Sequence, residues 1–565
     1  MRASALNLLV FREDRRSLRG LELRDSLVHD LGLLNASSQE DDLLHALLRA
    51  GELECGAADV ASASAEAYMT ITDRVAEMLV ARTPGTGIQV QLDGNELIRI
   101  LGDSQVPEQV EVTPAEGFAY YGLHPLAFAE ALDRISVMPA TVAFIGIRSI
   151  GTTLSAVAAA ETRRRGKTAS RFTVRPAGHP YSRETRLSPA QLAFVHQQAA
   201  CGAGFVVVDE GPGLSGSSFL SVAEALVGAG VSREKIILLC AHEPDFDALC
   251  AENASERARK FCWIAVSSDP RRPPGAEIFV GGGQWRRHLF PEQRDWPESW
   301  ISFERLKYLS SLNRVPARLF KFAGLGHYGE PVRAREQRVA AAGFGPAPKL
   351  ESQGFVSYAW INGRPMSPGD LSHQVLARLA AYCAFRAEAF KAELTDLSTL
   401  AQMAEHNLLE LGVNLAVGLR LERPVQADGR MQPHEWMLTQ DGQILKTDSG
   451  SHGDDHFFPG ATDIAWDLAG AIVEWRMTAA QAKAFLEAYR RASGDEARTR
   501  ISSFVIAYTV FRWAYSTMAA SRVQATDERE PLERAAVKYS THLVPTPGNS
   551  RIWASFLSEP ASQSK

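Results

Sequence analysis

The chain reads as an α/β protein, with a parallel sheet in its middle followed by an α+β part. Three observations carry that reading. Short apolar runs at 88–92, 143–147, 205–208, 236–239 and 263–267 alternate with helical patterns, the rhythm of strand–helix–strand units. Two of these runs lead into loops of small residues that open helices, at 154–160 and 221–226. Beyond residue 301 the alternation stops, and a turn-rich stretch gives way to long helical patterns at 374–394, 478–491 and 501–518. A chain of 565 residues exceeds what one core organises. Three segments are therefore expected: a mainly helical 1–68, the sheet region 69–300, and 301–565. Within the first, 43–50 has helical spacing and Gly51 is its expected stop. No internal repeat is visible, and the tail 558–565 is expected to be disordered.

Composition narrows the classes of function. Hydrophobic residues make up 45% and charged residues 22%, as in soluble globular proteins. A net charge of −6 provides no field to recruit nucleic acid. Six cysteines are scattered without a Cys-x-x-Cys pair, which suits a reducing compartment and gives no structural zinc pattern. The N-terminal apolar run precedes its charges, the wrong order for a secretory signal, and no apolar run reaches the roughly 20 residues of a bilayer span. A cytoplasmic protein acting on small molecules is expected, with no membrane or nucleic-acid partner; an oligomer is left open.

The most informative stretch is Phe205 to Phe219, Phe-Val-Val-Val-Asp-Glu-Gly-Pro-Gly-Leu-Ser-Gly-Ser-Ser-Phe. It reads as a buried strand ending in Asp209 and Glu210, then a Gly/Ser loop, then a helix. Acids beside a loop of N–H and hydroxyl donors suit a ligand with a diol next to a phosphate. A Walker loop would require Lys after Gly216, where Ser217 stands. Gly211, Gly213 and Gly216 match a dinucleotide fingerprint, with Glu243 after the next apolar run, but two acids would then face a pyrophosphate. The order of four apolar residues, two acids and a small-residue loop resembles the phosphoribosyl diphosphate (PRPP) motif of type I phosphoribosyltransferases. That resemblance implies that Asp209 and Glu210 hold the ribose hydroxyls, and that Gly213, Ser215, Gly216, Ser217 and Ser218 hold the 5-phosphate. The usual Thr-rich loop core is replaced here by Leu214 to Ser217, and Gly211-Pro212 stands where two apolar residues are usual.

Upstream, residues 141–155 form an apolar run, a loop with one Arg, and a helix. In the same family the matching loop binds pyrophosphate, which implies that role for Arg148, Ser149, Gly151 and Thr152. Between the two segments, 161–184 carries Arg163, Arg164, Arg165, Lys167, Arg171 and Arg183. It is expected to be a basic mobile loop that closes over PRPP and Mg²⁺. Purine-salvage members have an acid where Gly213 stands, so the resemblance implies an enzyme that uses or forms PRPP, by transfer to an acidic or pyrimidine-like acceptor or by the reverse cleavage of a nucleotide. Trp285, within 279–287, is the one candidate for stacking on a ring. A protein that only senses PRPP, and a dinucleotide-binding oxidoreductase, remain as alternatives.

The C-terminal part carries a second constellation. Its order is Lys321 in Phe-Lys-Phe-Ala-Gly-Leu-Gly, then Glu336, then Asp428, then Asp448 after an apolar run, then Asp467 in Asp-Leu-Ala. This order resembles the aminoglycoside-phosphotransferase and choline-kinase family. The resemblance implies an α+β kinase-like domain using ATP and Mg²⁺. Lys321 would contact the nucleotide phosphates, Glu336 would orient it, Asp428 would position the acceptor hydroxyl, Asp448 would hold the metal, and Asp467 would brace its helix. The expected His-Gly-Asp is Gln426-Ala427-Asp428, and Glu435 lies two residues beyond the place of the expected Asn. His452 to His456 adds a loop of His and Asp that could bind a divalent ion.

Overall fold

In the computed structural model, which describes residues 6–11, 15–35, 38–82, 94–266, 271–313 and 315–543, the apolar runs of the middle region become one five-stranded parallel sheet. Its spatial order is Thr168–Val174, Thr141–Ile147, Gly204–Val208, Ile236–Cys240, Cys262–Ala265. The chain enters at the second strand, moves to one edge, then crosses back and proceeds to the other edge. The reversal opens a crevice at the carboxyl ends of the adjacent strands Thr141–Ile147 and Gly204–Val208, the place where open parallel sheets hold ligands. The expected strand at 88–92 and the tail lie outside the described residues.

Both faces of the sheet are covered, which is why its strands read as unbroken apolar runs. Phe144, Val206 and Val208 share one core with Leu154 and Val157 of the helix Ile150–Arg164, and with Leu43, Leu47 and Ile71 of the N-terminal helices. Ala143, Ile145, Phe205 and Val207 point to the other face, against Val195, Phe219 and Val222. The first segment is therefore part of the sheet's own core. Its helix Glu40–Asp59 runs straight through the expected stop at Gly51. A Cβ there would come 2.0 Å from Thr153 Oγ1, so this glycine permits close approach of the helix Ile150–Arg164 and ends nothing.

The second half begins earlier than residue 301. Ile278–Phe279 pairs with Lys307–Leu312 at the edge of a five-stranded antiparallel sheet. The order is Ile278–Phe279, Lys307–Leu312, Val315–Phe322, Phe355–Ala359, Lys349–Leu350. The helix Gly326–Ala341 follows the Val315–Phe322 strand. A helical lobe completes this half with His373–Ala389, Ser398–Glu410, Ala465–Glu474, Ala479–Ser493, Ile501–Arg522 and Thr526–Leu543. The N-terminal Leu8 and Val10 are buried in that lobe's core, and Asn407 bonds the Leu9 backbone on both sides, at 2.9 and 2.7 Å. Among the described residues no helix is long and apolar enough to cross a membrane.

Candidate functional site

Two sites emerge, one in each half. In the crevice of the parallel sheet, Asp209 and Glu210 follow directly on the end of the strand Gly204–Val208. Glu210 accepts a hydrogen bond from the Gly117 N–H at 3.0 Å. Burial pushes its carboxyl up to about 8, helped by the charges of Glu116 and Asp209. Burial also pushes Asp209 up to about 7, against the pull of Arg175. In the following loop Gly213 and Gly216 take left-handed backbone, at φ 62° and 69°, and Ser217 opens the helix Ser217–Gly228. Ser218 is half-buried in the first turn.

The upstream loop lies against this one. A Cβ on Gly151 would sit 2.4 Å from the Val208 carbonyl, so only glycine lets the two loops meet. Thr152 is buried, and its hydroxyl has no hydrogen-bond partner. Ser149 has φ 99° and accepts from Arg175 at 3.2 Å. Arg148 is already engaged, donating to Asp59 and to the Ala58 carbonyl at 3.1 Å and to Thr173 Oγ1 at 3.2 Å.

Residues 161–184 do not form one mobile loop. Arg163 and Arg164 end the helix Ile150–Arg164, and 168–174 is a strand of the sheet. Their charges are matched inside the protein. Arg164 and Arg165 each pair with Glu161 at 2.6 Å, and Arg163 with Glu77 at 2.9 Å. Arg171 is buried and forks onto Glu54 at 2.7 Å. Only the hairpin Ala177–His179 and Ser182–Glu184 is exposed as a loop would be. Its tip reaches the Gly/Ser loop, where Ser215 and Ser217 donate to the Pro180 carbonyl at 2.8 and 2.6 Å. Trp285 is far from a ring-stacking role in this crevice. It lines the second site, where its indole N–H donates to Glu304 at 3.0 Å.

The second site is a cleft of about 180 Å³ between the antiparallel sheet and the helical lobe. Lys321 stands on the Val315–Phe322 strand, fully buried, donating to Ser451 Oγ at 2.6 Å and ion-paired with Asp448. Burial drives its ammonium well below the usual lysine range, while the Glu336 charge opposes that shift. Glu336, on the helix Gly326–Ala341, accepts from the Gly450 N–H at 2.8 Å and from Ser449 Oγ at 3.1 Å. Lys321 thus holds Asp448 and Glu336 holds the turn just after it. Asp448 itself has a left-handed φ of 54°.

Donor atoms of Glu435, Asp448 and His452 lie within 4.8 Å of one another. The set fits a divalent cation: two carboxylates and an imidazole, with a buried His452 Nδ1 that has no hydrogen-bond partner. Burial keeps His452 well below the usual histidine range and therefore neutral. Burial opposes ionisation of Glu435, yet Lys446 and the neighbouring histidines hold its carboxyl down to about 2. Glu435 and His452 join Asp448 in a way that motif order alone did not assign.

Asp428 is not on the cleft wall. It is buried, accepts from the Tyr382 hydroxyl, and lies 3.4 Å from Lys446 and 3.7 Å from Arg386. Asp467 accepts from the Asp428 and Gly429 N–H groups at 2.8 and 3.0 Å, so it braces this loop as well as opening its own helix. The residue of the loop that does line the cleft is Arg430. Kinase catalytic loops place an acceptor-binding Asp five positions before a metal-binding Asn. Arg430 and Glu435 have that spacing. Counting back five from Glu435, the polar residue before the strand Trp436–Thr439, is the signal that would have found Arg430.

No known family profile matches the chain, and no curated protein matches it. Solved structures that align with the chain include choline/ethanolamine kinases and antibiotic phosphotransferases, over less than half of its length. A choline/ethanolamine kinase family protein from Mesorhizobium loti is 17% identical, covering 45% of this chain and 89% of that one, with a TM-score of 0.32. A choline kinase from Streptococcus pneumoniae is 13% identical, covering 42% and 90%, at 0.28. A macrolide 2'-phosphotransferase from Brachybacterium faecium is 13% identical, covering 43% and 91%, at 0.29. At these scores the likeness carries no weight of its own. It also brings no support to a phosphoribosyltransferase assignment of the parallel-sheet half.

Proposed function

We propose that the cleft of the second half binds a nucleoside triphosphate with a divalent cation and transfers the terminal phosphoryl group to a small metabolite. The observation that carries this reading is one cluster of charge: Lys321 on Asp448, Glu336 fixing the adjoining turn, and Glu435 and His452 beside the same carboxylate. Phosphoryl transfer requires positioning and charge neutralisation more than covalent chemistry, and this cluster offers both. Asp448, Glu435 and His452 would hold the cation, which when bound offsets phosphate charge. Lys321 is poised to exchange Asp448 for a phosphate oxygen. Lys307, 4.0 Å from Asp448, adds a second cation at the same wall. Val280, Leu309, Leu319 and Met437 give the cleft the apolar surface a flat base requires.

Calorimetry on the full chain with ADP and Mg²⁺ tests the reading. Wild type should bind, and Lys321→Ala and Asp448→Asn should each weaken binding at least about tenfold. Equal affinities in all three proteins would remove it.

A second reading concerns the crevice, on a separate observation: two strand-to-helix loops of small residues meet there through Gly151, next to Asp209 and Glu210. We propose that it binds the phosphorylated ribose of PRPP, with Ser215 and Ser217 released from Pro180 to take the 5-phosphate. Whether the ligand is consumed or only sensed is decided by pyrophosphate release. Asp209→Asn with Glu210→Gln should weaken PRPP binding by orders of magnitude, since each charge-assisted bond contributes roughly 1.5–3 kcal/mol. Unchanged affinity would end this reading without touching the first.

A further inference from the structure

We propose that the phosphoryl acceptor in the cleft is an oxyanion, a carboxylate or a phosphate held by Arg430, and not a neutral hydroxyl. This inference rests on the nucleotide-binding reading above and goes beyond it to the class of acceptor.

A hydroxyl acceptor has a proton to lose, and kinase loops supply an Asp to receive it. At the corresponding position this chain has a guanidinium. Arg430 is partly exposed at the cleft wall, with its guanidinium carbon 5.7 Å from the Tyr515 ring centre and Nη2 at the limit of reach from the Tyr515 hydroxyl, 3.5 Å. Among the described residues it makes no ion pair. It lines the same cleft as the proposed metal ligands Glu435 and His452. The nearest carboxylate in sequence, Asp428, is sealed behind Tyr382 and Lys446. The other acids of the cleft are committed. Glu298 pairs with Arg512 at 2.7 Å, and Glu304 accepts from Gly283 N–H at 2.8 Å and from Trp285. Asp455 accepts from the Phe457 N–H at 2.9 Å, and among the described residues it remains a rival for a base together with His288 and His434, which line the same cleft.

An oxyanion requires no base. Its oxygen forms the new bond to the γ-phosphorus, and the bond from that phosphorus to the β–γ bridging oxygen breaks. The electron pair leaves with the nucleoside diphosphate, and no proton is released. Transfer to an alcohol would release one proton per turnover. Arg430 would hold the acceptor by the planar, two-pronged contact that guanidinium makes with carboxylate or phosphate.

The experiment uses the full chain with γ-labelled ATP and Mg²⁺ at about pH 8.5, where phosphate monoesters are dianions. Three acceptor groups are offered: carboxylates (acetate, malate, aspartate), phosphate monoesters (ribose 5-phosphate, glycerol 3-phosphate) and neutral alcohols (glycerol, ribose, choline). Acyl phosphates are trapped with hydroxylamine, new diphosphate linkages are read by phosphorus NMR, and proton release is followed with a pH indicator. Label should pass to a carboxylate or a phosphate without proton release. Arg430→Gln should lower kcat/KM at least about 100-fold, Arg430→Lys should recover part of it, and both should bind ADP–Mg²⁺ within about threefold of wild type. Asp455→Asn, His288→Gln and His434→Gln should each retain turnover. Label on alcohols with one proton released, loss of turnover in any of these three variants, or transfer to none of the three groups while ADP–Mg²⁺ still binds would overturn the proposal. Failure to bind ADP–Mg²⁺ at all would instead remove the reading on which it rests.

Discussion

Asp209 and Glu210 show how one residue's surroundings become a measurable property. Burial holds both carboxyls above their unfolded values, to about 7 and about 8. Between about pH 4 and pH 8 the native state therefore keeps protons that the unfolded chain has lost, so their contribution to stability falls as pH rises through that window. Replacing both by Asn and Gln should flatten the fall and make the variant more stable than wild type at pH 8 by at least about 1 kcal/mol. Denaturant unfolding at pH 5, 6.5 and 8 checks this, and parallel curves for the two proteins would contradict it. The place of these two acids was legible in the sequence because an unbroken apolar run, the buried strand Gly204–Val208, ends directly before them. Arg171 was not legible. Its partners, Glu54 and Asp73, lie about a hundred residues away, and nothing local distinguishes a neutralised arginine from a ligand-seeking one. Asp428 failed for a related reason: a loop acid two positions from the cleft has the same letter as one inside it, and only burial separates them.

At the scale of elements, strands and helices of the sheet followed from periodicity, while their limits depended on contacts between elements. Gly51 is the clearest case. Glycine after a helical run reads as a stop, yet here it admits the neighbouring helix at Thr153. Gly51→Ala should destabilise the protein by about 1–3 kcal/mol through overpacking, despite alanine's better helix propensity. Adding Thr153→Ala should restore part of the loss. Thermal unfolding of the two variants would decide, and a stabilising Gly51→Ala would refute the close-approach account. The hairpin over the Gly/Ser loop is the other element with a testable state. Because Ser215 and Ser217 are bonded to Pro180, Pro180 should become more accessible when a phosphate takes those hydroxyls. PRPP should therefore change protease sensitivity at 177–184 and leave the strand Thr168–Val174 protected.

The whole molecule is organised differently from its linear segments. The parallel-sheet core takes in the N-terminal helices, the C-terminal half starts before residue 301, and Leu8 and Val10 fold back into the helical lobe. A fragment 301–565 lacks the Ile278–Phe279 edge strand, Trp300 and that N-terminal segment, so it should not melt cooperatively, whereas the full chain should; circular dichroism on both is sufficient. The segment Gly117–Tyr121 touches both sites at once. Gly117 bonds Glu210, Tyr120 lines the cleft, and Tyr121 bonds His456. Such joins are invisible in sequence because they are made by residues with no motif of their own. The claim on which the functional account turns is that Lys321 and Asp448 form a nucleotide–metal site. Its most direct measurement is titration of the full chain with ADP, with and without Mg²⁺, in wild type and Asp448→Asn. Magnesium-dependent binding that the variant loses is the predicted result. Binding that ignores both the metal and the substitution, or no binding in wild type, would contradict it.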